Sequence, residues 1–238
     1  MPAGKGKGAG PGTPKRRART AGDMRTPTPK AGRTVSSQRW ITRQLRDPFV
    51  ADAKAQGYRS RAAFKIIEID DKFHLLAPGK RVLDLGAAPG GWTQVAVERV
   101  EPAEGRGAVF AVDQLEVNPI AGATAVMLDV SKQDTLPTLQ ELLGGPVDVV
   151  LSDMAPAASG NRTVDALRAA SLADDAFATA EHLLRRGGSF AAKLMRSGQE
   201  TQFVVSLRDR FDAVRTFKPK SSRQDSAEIY VVATGFKG

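Results

Sequence analysis

The sequence predicts an α/β domain: a mostly parallel seven-stranded sheet with an antiparallel last strand and helices on both faces. Three observations carry this. From Arg81 onward, strand-like and helix-like runs alternate, the pattern of a parallel sheet built through crossover helices. The apolar pair Val82-Leu83 leads through the turn Gly86-Ala87-Ala88-Pro89-Gly90-Gly91 into an amphipathic stretch, 93–100. That order is strand, glycine-rich turn, helix. The last two strand-like runs are separated by a loop alone, 218–226, so they should pair antiparallel.

In chain order, Ser36 and Ser37 can cap a helix to about Arg46, with Trp40, Ile41 and Leu45 as its apolar stripe. Pro48 should break it. A second helix spans 51–56 and ends at Gly57, and Ser60 can cap a third over 61–72. Strands follow near 81–86, 108–113, 124–129, 147–152, 188–194, 212–217 and 227–234. Helices fall between them near 91–100, 134–143, 164–186 and 199–210.

Composition narrows the chemistry. With 238 residues the chain can bury a sizeable core in one domain. The absence of cysteine excludes disulfides, thiolate metal sites and a cysteine nucleophile. His74 and His182 stand apart in sequence, which argues against a histidine metal cluster or a Ser-His-Asp triad. No metal-ligand spacing is present. No apolar run is long enough to span a membrane, and the N-terminus lacks the hydrophobic segment of a secretory signal.

The net charge of +9 is unevenly placed. Residues 1–36 carry nine Lys or Arg and one acid, Asp23. This stretch is rich in Gly, Pro, Ala and Thr and too poor in large apolar side chains to offset its ordering entropy. It reads as a disordered basic tail, 1–36, ahead of a folded domain, 37–238. Its charge suits phosphate backbones; a dispensable leader is the alternative, and Met24 offers a second start.

The glycine turn is not the dinucleotide pattern G-x-G-x-x-G, because Ala88 replaces the second glycine and Pro89 stiffens the turn. Asp84 supplies a carboxylate at the first strand's end. Asp113 ends the second strand-like run and Asp129 the third. Three strands ending in Asp beside such a turn favour an S-adenosylmethionine pocket over a dinucleotide site. Ordinary strand-terminating turns are the bland alternative.

The turn resembles the cofactor loop of class I methyltransferases. Four further segments narrow the likeness: Arg59-Ser60-Arg61-Ala62-Ala63-Phe64-Lys65, Leu151-Ser152-Asp153-Met154-Ala155-Pro156, Gly187-Gly188-Ser189-Phe190-Ala191-Ala192-Lys193, and the stretch from Ser222-Arg223 through Ser226 to Gly235. Together they resemble the FtsJ/RrmJ family of ribosomal RNA 2′-O-ribose methyltransferases over about residues 37–238. The resemblance implies a Rossmann-like class I methyltransferase fold. It places the family's Lys-Asp-Lys-Glu tetrad on Lys65, Asp153, Lys193 and Glu228. It implies S-adenosyl-L-methionine as cofactor, held by Asp84, Gly86, Gly90, Trp92, Asp113, Asp129, Val130 and Asp153. The chain departs from the family at Met195, where an aromatic residue is expected.

By the same resemblance, the reaction is methyl transfer to the 2′-hydroxyl of a uridine ribose in 23S rRNA of the large (50S) subunit, by a cytoplasmic monomer with no DNA or membrane partner. Lys193 is the first choice to manage the hydroxyl proton. It acts either as a neutral base or as a charged group that orients the hydroxyl. Residues 37–80 should face RNA. Arg39, Arg43, Arg46, Arg59 and Arg61, with Lys218, Lys220 and Arg223, are the candidate phosphate contacts. The rivals are a 2′-O-methyltransferase of transfer RNA or a cap, an RNA-binding assembly factor with a degenerate cofactor site, and, third, an NAD-dependent oxidoreductase.

Overall fold

The structure is a computed structural model. It describes residues 46–102, 106–132, 134–198 and 200–238. The chain divides into two units, Met1–Asp47 and Pro48–Gly238. The expected basic tail and nearly all of the helix expected from Ser36 lie outside the described residues.

The second unit opens with α1 (Pro48–Gln56) and α2 (Ala63–Phe73). Pro48 starts α1, and Asp47 just before it is not helical. A first-turn proline loses no hydrogen bond, and its fixed φ suits helix entry. Ser60 does not cap α2: Ala62 holds the cap position without a side-chain bond, and the Ser60 carbonyl accepts the Ala63 N–H. Then follow β1 (Arg81–Leu85), α3 (Gly91–Val100), β2 (Ala108–Asp113), β3 (Ala123–Met127), α4 (Thr135–Leu143) and β4 (Val147–Ser152). The chain closes with α5 (Arg162–Leu183), β5 (Leu184–Met195), α6 (Glu200–Arg210), β6 (Phe211–Phe217) and β7 (Glu228–Phe236). Helix α5 stops three residues short of expectation because β5 begins early, with Leu184 paired to Val147.

The seven strands lie in the order β3-β2-β1-β4-β5-β7-β6. All neighbours pair parallel except β7, which runs antiparallel to both β5 and β6. The antiparallel strand is thus last in the chain but sits inside the sheet.

Alternation along the strands sends side chains to two cores. Val82, Val109, Val149, Leu151, Ala191, Tyr230 and Val232 face α2 and α3. Leu83, Leu85, Phe110, Val150, Phe190, Ala192 and Val231 face α4, α5 and α6. Among the described residues no helix is long and apolar enough to cross a membrane.

Candidate active site

Strand register builds the first part of the site. Across the antiparallel β5–β7 pair, Lys193 stands opposite Tyr230 and Met195 opposite Glu228. On the other side of β5, Ser152 pairs with Ala192, so Asp153, the next residue after β4, arrives beside Lys193. Helix α2 covers this face through Ile66 and Ile69 and brings Lys65 down from above. Four segments far apart in sequence therefore meet at one point, near the carboxyl ends of β4 and β5.

The hydrogen bonds there form a closed cluster. Lys193 Nζ donates to the Asp153 carbonyl at 2.5 Å and to Asp153 Oδ1 at 3.1 Å. Tyr230 donates to the same Oδ1 at 2.6 Å. Lys65 Nζ donates to the Tyr230 hydroxyl at 3.0 Å and to Glu228 Oε2 at 2.8 Å, and lies 3.8 Å from Asp153 Oδ1. Ser222 donates to the other Glu228 oxygen at 2.7 Å. Both lysine side chains are 9 % exposed, a burial that lysine tolerates only with such partners. Burial alone would push the Asp153 carboxyl up. The nearby Lys193 and Lys65 charges, with the hydrogen bonds from Tyr230 and Lys193, outweigh burial and hold it below the ordinary carboxylate range. Burial, then the charges of Asp153 and Glu228, push the Tyr230 phenol well above its usual value. Tyr230 therefore stays a neutral donor.

All four tetrad positions thus meet, and the sequence reading missed a fifth member, Tyr230. Its signal was present: it lies two residues after Glu228 on one strand, hence on the same face. Ser222 was also missed, because it reaches Glu228 from a loop. That loop is fastened to α2. Glu68 accepts the Lys220 and Ser221 N–H groups at 2.6 and 2.8 Å, and Arg61 donates to the Ser221 carbonyl.

Beside the cluster lies a cavity of about 320 Å³, lined in part by Gly86, Asp113, Leu115, Asp129, Val130 and Asp153. Of the expected cofactor residues, Asp84, Gly90 and Trp92 are not in its lining. Asp84 points back at α3, accepting the Thr93 hydroxyl at 2.7 Å. Its other oxygen is buried without a partner among the described residues. Burial, with help from the Asp153 and Asp113 charges, pushes this carboxyl up to about 7 against the Thr93 bond. Trp92 donates to the Ala62 carbonyl at 2.8 Å and packs on Tyr230. Gly90 is the N-cap of α3 with φ 112°; a Cβ there would lie 2.6 Å from Ile120 and 3.1 Å from Arg59.

The lining suits a nucleoside with a polar arm. Asp113 Oδ2 accepts the Ala88 N–H at 2.9 Å and Oδ1 the Leu115 N–H at 2.8 Å. Each oxygen keeps a lone pair for ribose hydroxyls. Asp129 lies in a turn two residues beyond β3, not at the strand's end. Hydrogen bonds from Ser131 hold its carboxyl below the ordinary range. Leu115, Val130, Met154 and Leu172 give the cavity apolar walls. Gly86 (φ 73°) must be glycine, because a Cβ would lie 2.5 Å from Met154 Cγ. No cluster able to hold a metal ion occurs among the described residues.

Of the candidate RNA contacts, Arg39 and Arg43 lie outside the described residues. Lys218 donates to the Ser226 carbonyl at 2.7 Å and to Gln224, and Arg59 is engaged with main-chain carbonyls. A second cleft, of about 550 Å³, opens past the ends of β5 and β7. Thr163, Leu167, Met195, Arg196, Asp225 and Ser226 line it, so Met195 sits on a wall next to the tetrad.

A doubly wound sheet, a glycine turn with acids beside a cavity, and a Lys-Asp-Lys-Glu cluster sharing Asp153 with that cavity define a class I methyltransferase that uses S-adenosylmethionine. Comparison narrows the class. The FtsJ-like methyltransferase family matches residues 58–236, and the chain belongs to it. The "Ribosomal RNA large subunit methyltransferase E" of Rhodopseudomonas palustris (strain BisB18) is 50% identical over 220 residues, 92% of each chain. The protein of the same name from Granulibacter bethesdensis is 51% identical over 205 residues, 86% of this chain and 87% of that one. A crystal structure of a protein described as a ribosomal RNA methyltransferase, from Plasmodium falciparum, superposes with a TM-score of 0.68 at 30% identity. It covers 76% of this chain and all of that one.

Proposed function

We propose that this enzyme transfers a methyl group from S-adenosylmethionine to the 2′-hydroxyl of a uridine ribose in 23S rRNA of the large ribosomal subunit, working in the cytoplasm as a monomer. The observation that carries the reading is Asp153, which belongs at once to the cavity wall and to the buried lysine cluster. A hydroxyl brought to Lys193 would therefore face the cavity. The relatives' names supply the ribosomal substrate, and a ribose hydroxyl acceptor explains a preference for RNA over DNA.

When bound, S-adenosylmethionine supplies an electrophilic methyl group on a sulfonium. Asp113 would hold its ribose, Asp129 and Val130 its adenine, and the turn around Gly86 and Gly90 its amino-acid portion. The chain must then align a ribose hydroxyl with that methyl and manage one proton. Lys193 already donates two hydrogen bonds in this arrangement. A donor so placed holds the hydroxyl oxygen and stabilises the charge that develops on it. Tyr230, Lys65 and Glu228 fix Asp153, and Asp153 fixes Lys193. In the second version Lys193 is neutral and takes the hydroxyl proton itself. A pH–rate profile without an ionisation in the accessible range counts against that version. The cleft beyond Met195 and Ser226 leaves room for the acceptor nucleotide.

The test is methyl transfer from labelled S-adenosylmethionine to large subunits from cells lacking this gene, with wild type and Lys193→Ala side by side and the labelled nucleotide mapped. Label on one 2′-O-methyluridine of 23S rRNA, absent with the variant, is the expected result. Label on another RNA would move the substrate assignment. No label at all would leave an assembly factor.

A further inference from the structure

We infer that Arg59 is a positioning residue for the cofactor turn. Its guanidinium ties that turn to the loop after β2 and so sets the width of the cofactor cavity. From sequence alone Arg59 was a candidate phosphate contact; its surroundings point elsewhere. Nη1 donates to the Pro89 carbonyl at 3.2 Å and to the Asn118 carbonyl at 2.6 Å. Nη2 donates to the Pro119 carbonyl at 2.6 Å. Three N–H groups therefore end on main-chain oxygens of two different loops. A guanidinium's planar fork can serve such a set, whereas a lysine ammonium is a single point of charge.

The two loops are the opposite rims of one cavity. Gly86 and Ala88 line it from the turn; Asp113, Gln114 and Leu115 line it from the segment that leads to Asn118 and Pro119. Between them packs a small apolar cluster of Ala87, Ala111 and Val117, with Ala88 and Ile120 against it. At the base of the rims the Gly86 and Ala87 N–H groups bond the Val112 carbonyl and the Ala88 N–H bonds Asp113; farther out, Arg59 joins the turn to the Asn118-Pro119 segment. Arg59 closes the outer side without entering the lining. Its own backbone is anchored: its N–H donates to Gln94 Oε1 at 2.8 Å, and Gln94 Nε2 donates to the Gly57 carbonyl at 3.0 Å. Gly90 fits the same scheme, since a Cβ there would meet the Arg59 side chain. The segment carrying Arg59 also runs directly into α2 and Lys65, so one strut joins the cofactor rim to the approach of the catalytic helix.

The inference rests on the cavity being the S-adenosylmethionine site. The experiment is calorimetric titration of S-adenosylmethionine, without RNA, into the full chain as wild type, Arg59→Lys and Arg59→Ala. Binding of 23S rRNA is measured alongside across a salt series. Each titration runs below the thermal transition of the variant used. Both substitutions should weaken S-adenosylmethionine binding by about tenfold. Arg59→Lys should leave RNA affinity and its salt dependence unchanged, and kcat at saturating cofactor should hold within a few-fold. Wild-type cofactor affinity in Arg59→Lys overturns the inference. So does a normal cofactor affinity in Arg59→Ala with a salt slope reduced by about one, the mark of a lost phosphate contact. Failure of the wild type itself to bind S-adenosylmethionine would remove the cofactor reading and the inference with it.

Discussion

The buried lysine cluster and the cavity beside it share Asp153 and are built on opposite principles. In the cluster every charged group already has a partner of its own: Lys65 with Glu228, Lys193 with Asp153, Tyr230 between them. In the cavity the walls keep capacity in reserve. Asp113 uses its oxygens on two main-chain N–H groups and retains lone pairs, and Leu115 stands 62 % exposed over the opening. The cluster is arranged before substrate arrives, which is where electrostatic stabilisation is effective. The cavity is completed by what it binds.

The sharpest way to break this contrast is to separate chemistry from binding. Lys193→Ala should lower kcat by about 10²–10³ while S-adenosylmethionine binds as before, since Lys193 is not among the residues lining the cavity. Asp153→Asn should damage both, because Asp153 serves both regions. Single-turnover methyl transfer and direct cofactor titration distinguish the two. A Lys193→Ala enzyme that loses cofactor affinity as well would show that the regions are one.

The next test uses the buried carboxyls. Asp153 is held below the ordinary range by its lysines, so its contribution to stability is present above the unfolded-state value and lost only as pH falls below about 4. Among the described residues no cation acts on Asp84, and burial pushes it up to about 7. Its folded value lies above its unfolded one. The stability it contributes is therefore fully present below about pH 4 and lost as pH rises towards 7. The loss between pH 5 and 7 is about 2 kcal/mol. Asp84→Asn, which imitates the protonated acid, should flatten that part of the stability curve. Thermal unfolding of both proteins at pH 5, 6 and 7 measures it. An unchanged slope in the variant would mean that Asp84 does not titrate in this window.

The same contrast governs what could be read from sequence. The glycine turn is one contiguous stretch, Asp84 to Trp92, and its strand-turn-helix order follows from local rules, although only Gly86 and Ala88 of it line the cavity. Even so, local rules misplaced details. They put Asp129 at a strand's end, and they did not show that Asp84 turns towards Thr93. Arg59 is exposed, as expected, but its main-chain acceptors, the carbonyls of Pro89, Asn118 and Pro119, lie about 30 to 60 residues away and no local rule shows them. The cluster is different in kind. Lys65, Asp153, Lys193 and Glu228 come together through the β5–β7 register and the descent of α2. No periodicity in the chain encodes those long-range pairings, so the tetrad was legible only through family resemblance. Tyr230 was hidden by the bland expectation that a strand tyrosine is core, which it also is, at 0 % exposure.

Tyr230 gives the smallest expected effect. Its hydroxyl donates to Asp153 and accepts from Lys65, so it sits at the centre of the network. If the cluster is held redundantly, losing that one oxygen should matter little. In Tyr230→Phe, Asp153 keeps both bonds from Lys193, and Lys65 keeps Glu228. The ring still packs on Trp92. Stability should fall by about 1 kcal/mol for the lost hydrogen bonds, and kcat by a few-fold, with no new ionisation in the pH–rate profile. A fall of 10² or more would mean that the phenol takes part in moving the proton. The cluster would then be a relay through Tyr230 and not a rigid frame around Lys193.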